Sequence, residues 1–241
     1  MNKIKYGIDL GTTNSAIAVI DKGQSDVIKS EVQKDTMPSC VSFSKKQSVS
    51  VGDRAYNQLA SDKVKALKVG KEGNSNTFIE FKRTMGSDKK YHSVFMDKDF
   101  SSEELSSEVL KKLKSFTQGS EFKSVVITIP AMFNDNQKSA TQRAAALAGF
   151  TQVELLQEPI AAAMAYGLDE KVKDGQILIF DFGGGTFDVC LVDVEEGIMQ
   201  VRDTEGDNWL GGKNLDNASV DEIHMPYVKE KFTVESFLSD E

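Results

Sequence analysis

The sequence predicts an α/β fold in two parts, and three observations predict it. The apolar run Val125-Val126-Ile127-Thr128-Ile129, closed by Pro130, reads as a buried strand set between two amphipathic helices. A strand, a small-residue turn and a returning strand open the chain, and a second unit of the same kind recurs near residue 180. Strands and helices interleaved in this way belong to the α/β class. A chain of 241 residues has room for one large domain or two lobes, and its 39% hydrophobic and 27% charged residues are those of a globular protein with a sizeable core.

Taken in order, Ile4, Tyr6, Ile8 and Leu10 alternate with polar or small residues, Gly11-Thr12-Thr13-Asn14 supplies turn chemistry, and Ala16 to Ile20 resumes an apolar strand. From Gln24 to about Ser101 the sequence is polar and less regular. It holds short strands at Cys40 to Phe43 and Ser48 to Val51, a helix near Asp53 to Ala66, and a loop at Lys71 to Asn76. Ser101 to Thr117 is a helix: Ser101 with Glu104 is a capping-box signature, Leu105, Val109, Leu113 and Phe116 trace one apolar face, and Gly119 stops it. Asn134 or Asp135 caps an alanine-rich helix that ends at Gly149. Val153 to Leu156 is a short strand. Pro159 suits a first helical turn, which gives a helix over Ile160 to Tyr166 ended by Gly167. After a charged connector at Asp169 to Asp174, Gln176 to Asp181 and Thr186 to Val194 form the second strand–turn–strand unit.

The net charge of −8 argues against a nucleic-acid partner, which a surplus of Lys and Arg would attract. The opening residues show no apolar stretch of the kind a signal peptide carries, and no apolar run reaches the ~18 residues that span a bilayer. A cytoplasmic protein without a membrane partner is therefore expected. Two cysteines do not make a disulfide framework, and His92 and His224 stand apart from each other and from any cysteine pair, so no zinc site is assigned.

The chemistry lies in the repeated unit. Gly7-Ile8-Asp9-Leu10-Gly11-Thr12-Thr13-Asn14 and Ile179-Phe180-Asp181-Phe182-Gly183-Gly184-Gly185-Thr186 each place an Asp near the end of an apolar strand, one apolar residue after it, and then a small-residue turn. Neither is a Walker loop, since no Gly-Lys-Ser/Thr follows. Glycine lets backbone amides approach an anion closely and form a nest of N–H donors, to which threonine and Asn14 add side-chain donors. The Asp before each turn would repel a phosphate unless a cation lay between them, a need that Mg²⁺ with its retained waters meets. Either hairpin alone reads as an ordinary turn. Two in the same register, each with a buried Asp, point to a pair that faces a polyphosphate from both sides.

These residues resemble the 70-kDa heat-shock chaperone family of the DnaK type. Gly7 to Ser15 is similar to its first phosphate motif, and Ile129-Pro130-Ala131 with Phe133-Asn134-Asp135 to its connecting segment. Glu158-Pro159, Ala161-Ala162-Ala163 and Ala165-Tyr166-Gly167-Leu168-Asp169 are similar to its hinge-side helix, and Asp181 to Val189 to its second phosphate motif. Leu210-Gly211-Gly212 with Asp216-Asn217 is similar to the segment that follows. The resemblance implies an actin-like ATPase fold with ribonuclease H-like lobes: residues 1–170 as a complete lobe I with a shortened inserted subdomain at about 39–117, and residues 171–241 as the first part of a truncated lobe II. It implies ATP or ADP as ligand. Gly11, Thr12, Thr13 and Asn14 with Gly183, Gly184, Gly185 and Thr186 would hold phosphates, and Gly212 would lie near the ribose. Asp9, Glu158 and Asp181 would organise Mg²⁺ through water, and Asp188 stands with Asp9 and Asp181 where the family also places K⁺. Lys82, in Phe81-Lys82-Arg83-Thr84-Met85-Gly86, resembles the family's catalytic lysine. Asp9, Glu158, Asp181 and Lys82 form the expected catalytic set.

The implied function is an ATP-hydrolysing chaperone module, with J-domain co-chaperones, nucleotide-exchange factors and a C-terminal peptide-binding domain as the family's partners. The chain ends before much of the family's adenosine pocket. Weak or absent turnover is therefore expected, together with self-association through an uncovered lobe II sheet or a mobile segment after about Asn217. Two other readings remain: a nucleotide-gated interaction module without hydrolysis, and a small-molecule kinase of the same fold, against which the segments around Pro130 and Glu158 speak.

Overall fold

The computed structural model describes residues 4–68, 76–117, 122–167 and 172–232. Most of the expected loop at Lys71 to Asn76, the stop at Gly119, and Leu168 to Lys171 lie outside the described residues. A first mixed sheet is built on the opening hairpin, in which β1 (Tyr6–Leu10) runs antiparallel to β2 (Asn14–Asp21). Strand β3 (Gln24–Val27) adds to the far edge of β2, and the short β4 (Met37–Pro38) pairs with its start.

Residues between that sheet's strands form a smaller unit. There β5 (Cys40–Phe43) lies between β6 (Val49–Val51) and β7 (Thr77–Ile79), beside α1 (Asp53–Lys68). A single 3-10 turn follows at Phe81–Thr84, and then a two-stranded ribbon, β8 (Tyr91–Ser93) with β9 (Lys98–Phe100). The stretch that sequence reading left irregular thus holds five more short strands, β3, β4, β7, β8 and β9. With two to four residues each, they are too short for period-2 alternation to show.

The parallel half of the first sheet needs crossover helices, as parallel strands do. Helix α2 (Ser102–Ser115) leads to β10 (Ser124–Ile129), parallel to β1, and α3 (Asp135–Leu147) leads to β11 (Gln152–Gln157), parallel to β10. The order is β11-β10-β1-β2-β3. The capping box at Ser101 forms as expected, with Glu104 N donating to Ser101 Oγ at 3.2 Å and Ser101 N donating to Glu104 Oε2 at 2.9 Å. Of the two candidates for the next cap, Asn134 takes the role.

Alternation along β10 buries Val125, Ile127 and Ile129, and the largest core cluster joins Val125 and Ile127 to Ile8, Leu10 and Ile17 of the hairpin and to Leu105, Val109, Leu110 and Leu113 of α2. Helix α4 (Glu158–Ala165) leaves the end of β11 and packs on a second sheet, where its Ile160 meets Cys190 and Val192. That sheet is an antiparallel meander of β12 (Gly175–Phe182), β13 (Phe187–Glu195) and β14 (Ile198–Asp207). Beyond it come α5 (Gly212–Ser219), a π turn at Val220–His224, and α6 (Met225–Lys231). Strand β14 and both helices escaped sequence reading, and the described residues after Asn217 are helical as far as Lys231. Cys40 and Cys190 are both buried and free.

This packing makes α2 the helix on which the first sheet rests. Leu110→Ala is expected to cost about 2–5 kcal/mol in urea unfolding, the range for truncating a buried leucine. A cost near zero would contradict its place in the core.

Candidate active site

The two glycine turns close on one cleft of about 430 Å³, lined by Asp9, Gly11 to Asn14, Lys82, Thr128, Glu158, Ala161, Ala162, Asp181 and Gly183 to Thr186. The turns approach within van der Waals reach. A Cβ added at Gly185 would lie 2.8 Å from Thr12 Cγ2, and one at Gly184 would lie 3.0 Å from Thr13 Cβ. Only glycine fits at either position.

The second turn is held from behind. Gly212 N, at the start of α5, donates to Gly183 O at 2.9 Å, and Lys213 N donates to Gly184 O at 3.1 Å. Arg83 Nη2, from the 81–84 turn, donates to Gly185 O at 2.7 Å. A trans peptide sets the C=O of one residue antiparallel to the N–H of the next. Fixing these three carbonyls therefore points the amides of Gly184, Gly185 and Thr186 the other way, away from α5 and Arg83. Three successive amides presented in this manner make an anion nest. The remaining amide, Gly183 N, closes the turn on Thr186 O at 2.9 Å.

The first turn uses serines for the same purpose. Ser39 Oγ donates to Gly11 O at 2.7 Å and Ser39 N donates to Thr13 O at 2.8 Å, which turns the amides of Thr12 and Asn14 away from Ser39. Ser39 is steadied by a 2.8 Å hydrogen bond between its hydroxyl and that of Ser15, and Gly11 N donates to Ser15 Oγ at 3.2 Å.

Acidic groups gather beneath the turns. Asp9 Oδ1 accepts from Thr128 Oγ1 at 2.9 Å. Asp181 and Asp188 are direct cross-strand partners on β12 and β13, an arrangement that repels when both are ionised. Asp188 is buried, and its Oδ1 has no hydrogen-bond partner. Glu158 stands in the first turn of α4, where the helix dipole favours a negative charge, and Lys82 Nζ donates to its Oε1 at 2.7 Å. Lys82 is itself buried, with Phe81 anchoring its turn in the core and the Phe133 ring 5.7 Å from the ammonium. Burial raises the pKa of Glu158, with the charges of Asp9 and Asp181 adding to the rise and Lys82 opposing it. Burial and Asp9 raise that of Asp181, and burial and Asp181 raise that of Asp188. Among the described residues no three acidic, His or Cys side chains are placed to ligate one metal directly.

The cleft brings together Asp9, Lys82, Glu158, Asp181 and both turns, residues scattered from position 9 to 186. Two candidates fall elsewhere. Gly212 sits behind the second turn as a donor to Gly183 O, and Asp188 lies beneath the cleft beside Asp181. The premise of a buried Asp before each turn is not met in full: Asp9 is exposed on the open face of β1, and Asp181 is only half-buried. Sequence reading missed Thr128, Ser39 and Arg83. Thr128 could have been found as the hydroxyl residue inside the aliphatic run Val125–Ile129, whereas Ser39 and Arg83 lie in polar stretches without any distinguishing pattern.

A family model described as "Hsp70 protein" matches residues 5–236 of the chain. This chain belongs to the Hsp70 family. The family's actin-like ATPase fold agrees with the mixed sheets and helices found here. The chain is 41% identical over 235 residues to the chaperone protein DnaK of Thermosipho africanus, covering 95% of this chain and 37% of that protein. It is 42% identical over 221 residues to the DnaK of Mycoplasmopsis agalactiae, covering 90% and 34%, and 39% identical over 237 residues to that of Methanothermobacter thermautotrophicus, covering 95% and 37%. The chain thus spans little more than a third of the length of these Hsp70 relatives.

The acidic cluster yields a prediction about stability. Raised carboxyl pKa values mean that the folded chain binds more protons than the unfolded one, so stability falls as pH rises from about 3.9, the ordinary Asp value, through the folded pKa. Asp181→Asn removes one charge and sets an amide donor opposite the unpartnered Asp188 oxygen. Without ligand, this variant is expected to melt higher than wild type at pH 7, by about 2–4 °C per kcal/mol of relief, with the gain shrinking toward pH ~4. An equal gain at both pH values would contradict the electrostatic cause.

Proposed function

We propose that the cleft binds ATP and ADP with Mg²⁺ and that the chain is the nucleotide-binding part of a DnaK-type chaperone, hydrolysing ATP to ADP and phosphate. The observation that carries this reading is the pair of turns whose carbonyls are held from behind, so that five amides, those of Thr12, Asn14, Gly184, Gly185 and Thr186, are turned away from their supports. Such an array suits phosphate oxygens. A bound magnesium ion would neutralise charge between the phosphate oxygens and the carboxylates. Asp9, Glu158 and Asp181 would hold its water shell. The unpartnered Asp188 oxygen beside Asp181 suits a monovalent cation such as K⁺.

Hydrolysis breaks the bond between the γ-phosphorus and the oxygen that bridges it to the β-phosphate, while water forms the new P–O bond. Lys82, held by Glu158, would offset the charge that develops on the γ-phosphoryl oxygens. Thr12 and Thr13 on one side and Gly184 to Thr186 on the other would fix the chain of phosphates in line.

Residues 1–170 are assigned to lobe I, with the inserted subdomain at about 39–117, and residues 171–241 to the start of lobe II. J-domain co-chaperones, exchange factors and a peptide-binding domain are carried over as partners of the longer relatives, and the cytoplasm as the compartment. No helix of the described residues is long and apolar enough to cross a membrane. The outer face of the second sheet leaves Leu178 and Phe180 each 69% exposed on β12, which has no strand beyond it among the described residues. That face supports self-association, and Phe180→Lys is expected to shift light scattering of the concentrated chain toward monomer. A wild type that is monomeric at high concentration would contradict it.

The test of the site is calorimetric titration of Mg-ATP into wild type and Asp181→Ala. Binding that needs Mg²⁺ and weakens at least tenfold in the variant supports the reading. Binding unaffected by both changes contradicts it.

A further inference from the structure

Arg83 follows Lys82 in the 81–84 turn, and beyond its hydrogen bond to Gly185 O the reading above gives it no part. Its side chain is only 9% exposed, although nothing in the core needs a guanidinium. Besides the 2.7 Å hydrogen bond to Gly185 O, its Nη1 lies 3.4 Å from Glu80 Oε2, and its Cζ lies 5.5 Å from the centre of the Trp209 ring. Glu80, held in the left-handed region at φ 59°, also pairs with Lys213 of α5. Arg83 Nε is buried without a partner. An arginine withdrawn from water at this cost is poorly explained as a surface charge.

The connections run across the molecule. Glu80 and Arg83 belong to the segment packed beside the first sheet. Gly185, Trp209 and Lys213 belong to the second sheet and the helix behind it. Gly185 cannot hold its own peptide orientation by side-chain packing, because it has no side chain and a Cβ there would lie 2.9 Å from Arg83 Nη2. The other two carbonyls of the turn are held by backbone amides of the same part of the chain. Among the described residues the third is held by a side chain from the segment beside the first sheet.

We infer that Arg83 is a positioning residue for the second phosphate turn: by holding Gly185 O from behind the turn, out of the segment packed beside the first sheet, it fixes the Gly185–Thr186 peptide with the Thr186 amide turned to the phosphates. Glu80, Lys213 and Trp209 complete a latch that ties the 81–84 turn, and with it Lys82, to that peptide. A lysine could not replace Arg83, since only a planar guanidinium donates to a carbonyl and pairs with a carboxylate while lying against an indole. The inference rests on reading the cleft as a polyphosphate site, and its geometry can be tested separately from that reading.

The chain has one tryptophan, so fluorescence excited at its red edge reports Trp209 alone. In the nucleotide-free chain, Arg83→Met and Arg83→Lys are both expected to alter the emission and to increase acrylamide quenching as the guanidinium leaves the ring. Mg-ADP titration is the second arm. Arg83→Met is expected to weaken binding about tenfold or more, the loss of one charged hydrogen bond, and Arg83→Lys to recover little of it. Unchanged affinity in Arg83→Met beside a binding wild type overturns the positioning role, and full rescue by Arg83→Lys overturns the requirement for a guanidinium. Wild-type chain that does not bind Mg-ADP overturns the polyphosphate reading and the positioning role with it, while an unchanged Trp209 signal overturns the latch itself. Should Arg83→Met fail to fold, Trp209→Leu, at a side chain that is 58% exposed, takes its place, with a severalfold loss of Mg-ADP affinity expected and no loss overturning the latch.

Discussion

Peptide planarity, combined with three hydrogen bonds made from behind, governs this site. Gly183, Gly184 and Gly185 have no side chains to set their orientation, so the amides of Gly184, Gly185 and Thr186 face outward only because Gly212 N, Lys213 N and Arg83 Nη2 take the carbonyls before them. Much of the surrounding architecture serves that arrangement. Helix α5 must begin where its first amides meet the turn, which requires the close approach of Gly211 to the backbone of Gly184 and Gly185. The 81–84 turn must be anchored, and buried Phe81 anchors it. The hairpin of β12 and β13 must hold its register, which sets Asp181 and Asp188 side by side beneath the turn.

The price of this arrangement is electrostatic strain. Buried or half-buried carboxylates with raised pKa values, an unpartnered Asp188 oxygen and an unpartnered Arg83 Nε all sit within one region. Such features are rare in a relaxed core and gather where a ligand or ion completes the interactions. The Lys82–Glu158 pair belongs to the same region: each side chain is largely withdrawn from water, and each would be costly without the other. Stability in the chain comes from elsewhere, from the aliphatic packing of β1, β2 and β10 on α2.

What the sequence disclosed followed from periodicity and turn chemistry. The two hairpins, the capped helices and the buried strand β10 all announced themselves through alternation, caps and breakers, and the repeated Asp–apolar–turn pattern named most of the residues that line the cleft. What stayed hidden depended on contacts between distant segments. Nothing local marks Ser39 as the support for Gly11 and Thr13, or Arg83 as the support for Gly185, because both partners are backbone carbonyls. Gly212, which the resemblance sets near the ribose, also supports the turn from behind. Asp9 and Asp181 have equivalent places in sequence yet differ in exposure, because β1 has its side chain on an open face while the corresponding face of β12 is covered by α4.

The most direct test of the central claim is to follow backbone amide resonances of the isotope-labelled chain while adding Mg-ADP and, separately, Mg-pyrophosphate. If the turns present their amides to phosphate oxygens, Gly184, Gly185 and Thr186 should show the largest downfield shifts with both ligands, accompanied by Thr12 and Asn14. Shifts that spare these amides while the ligand binds elsewhere would contradict the account.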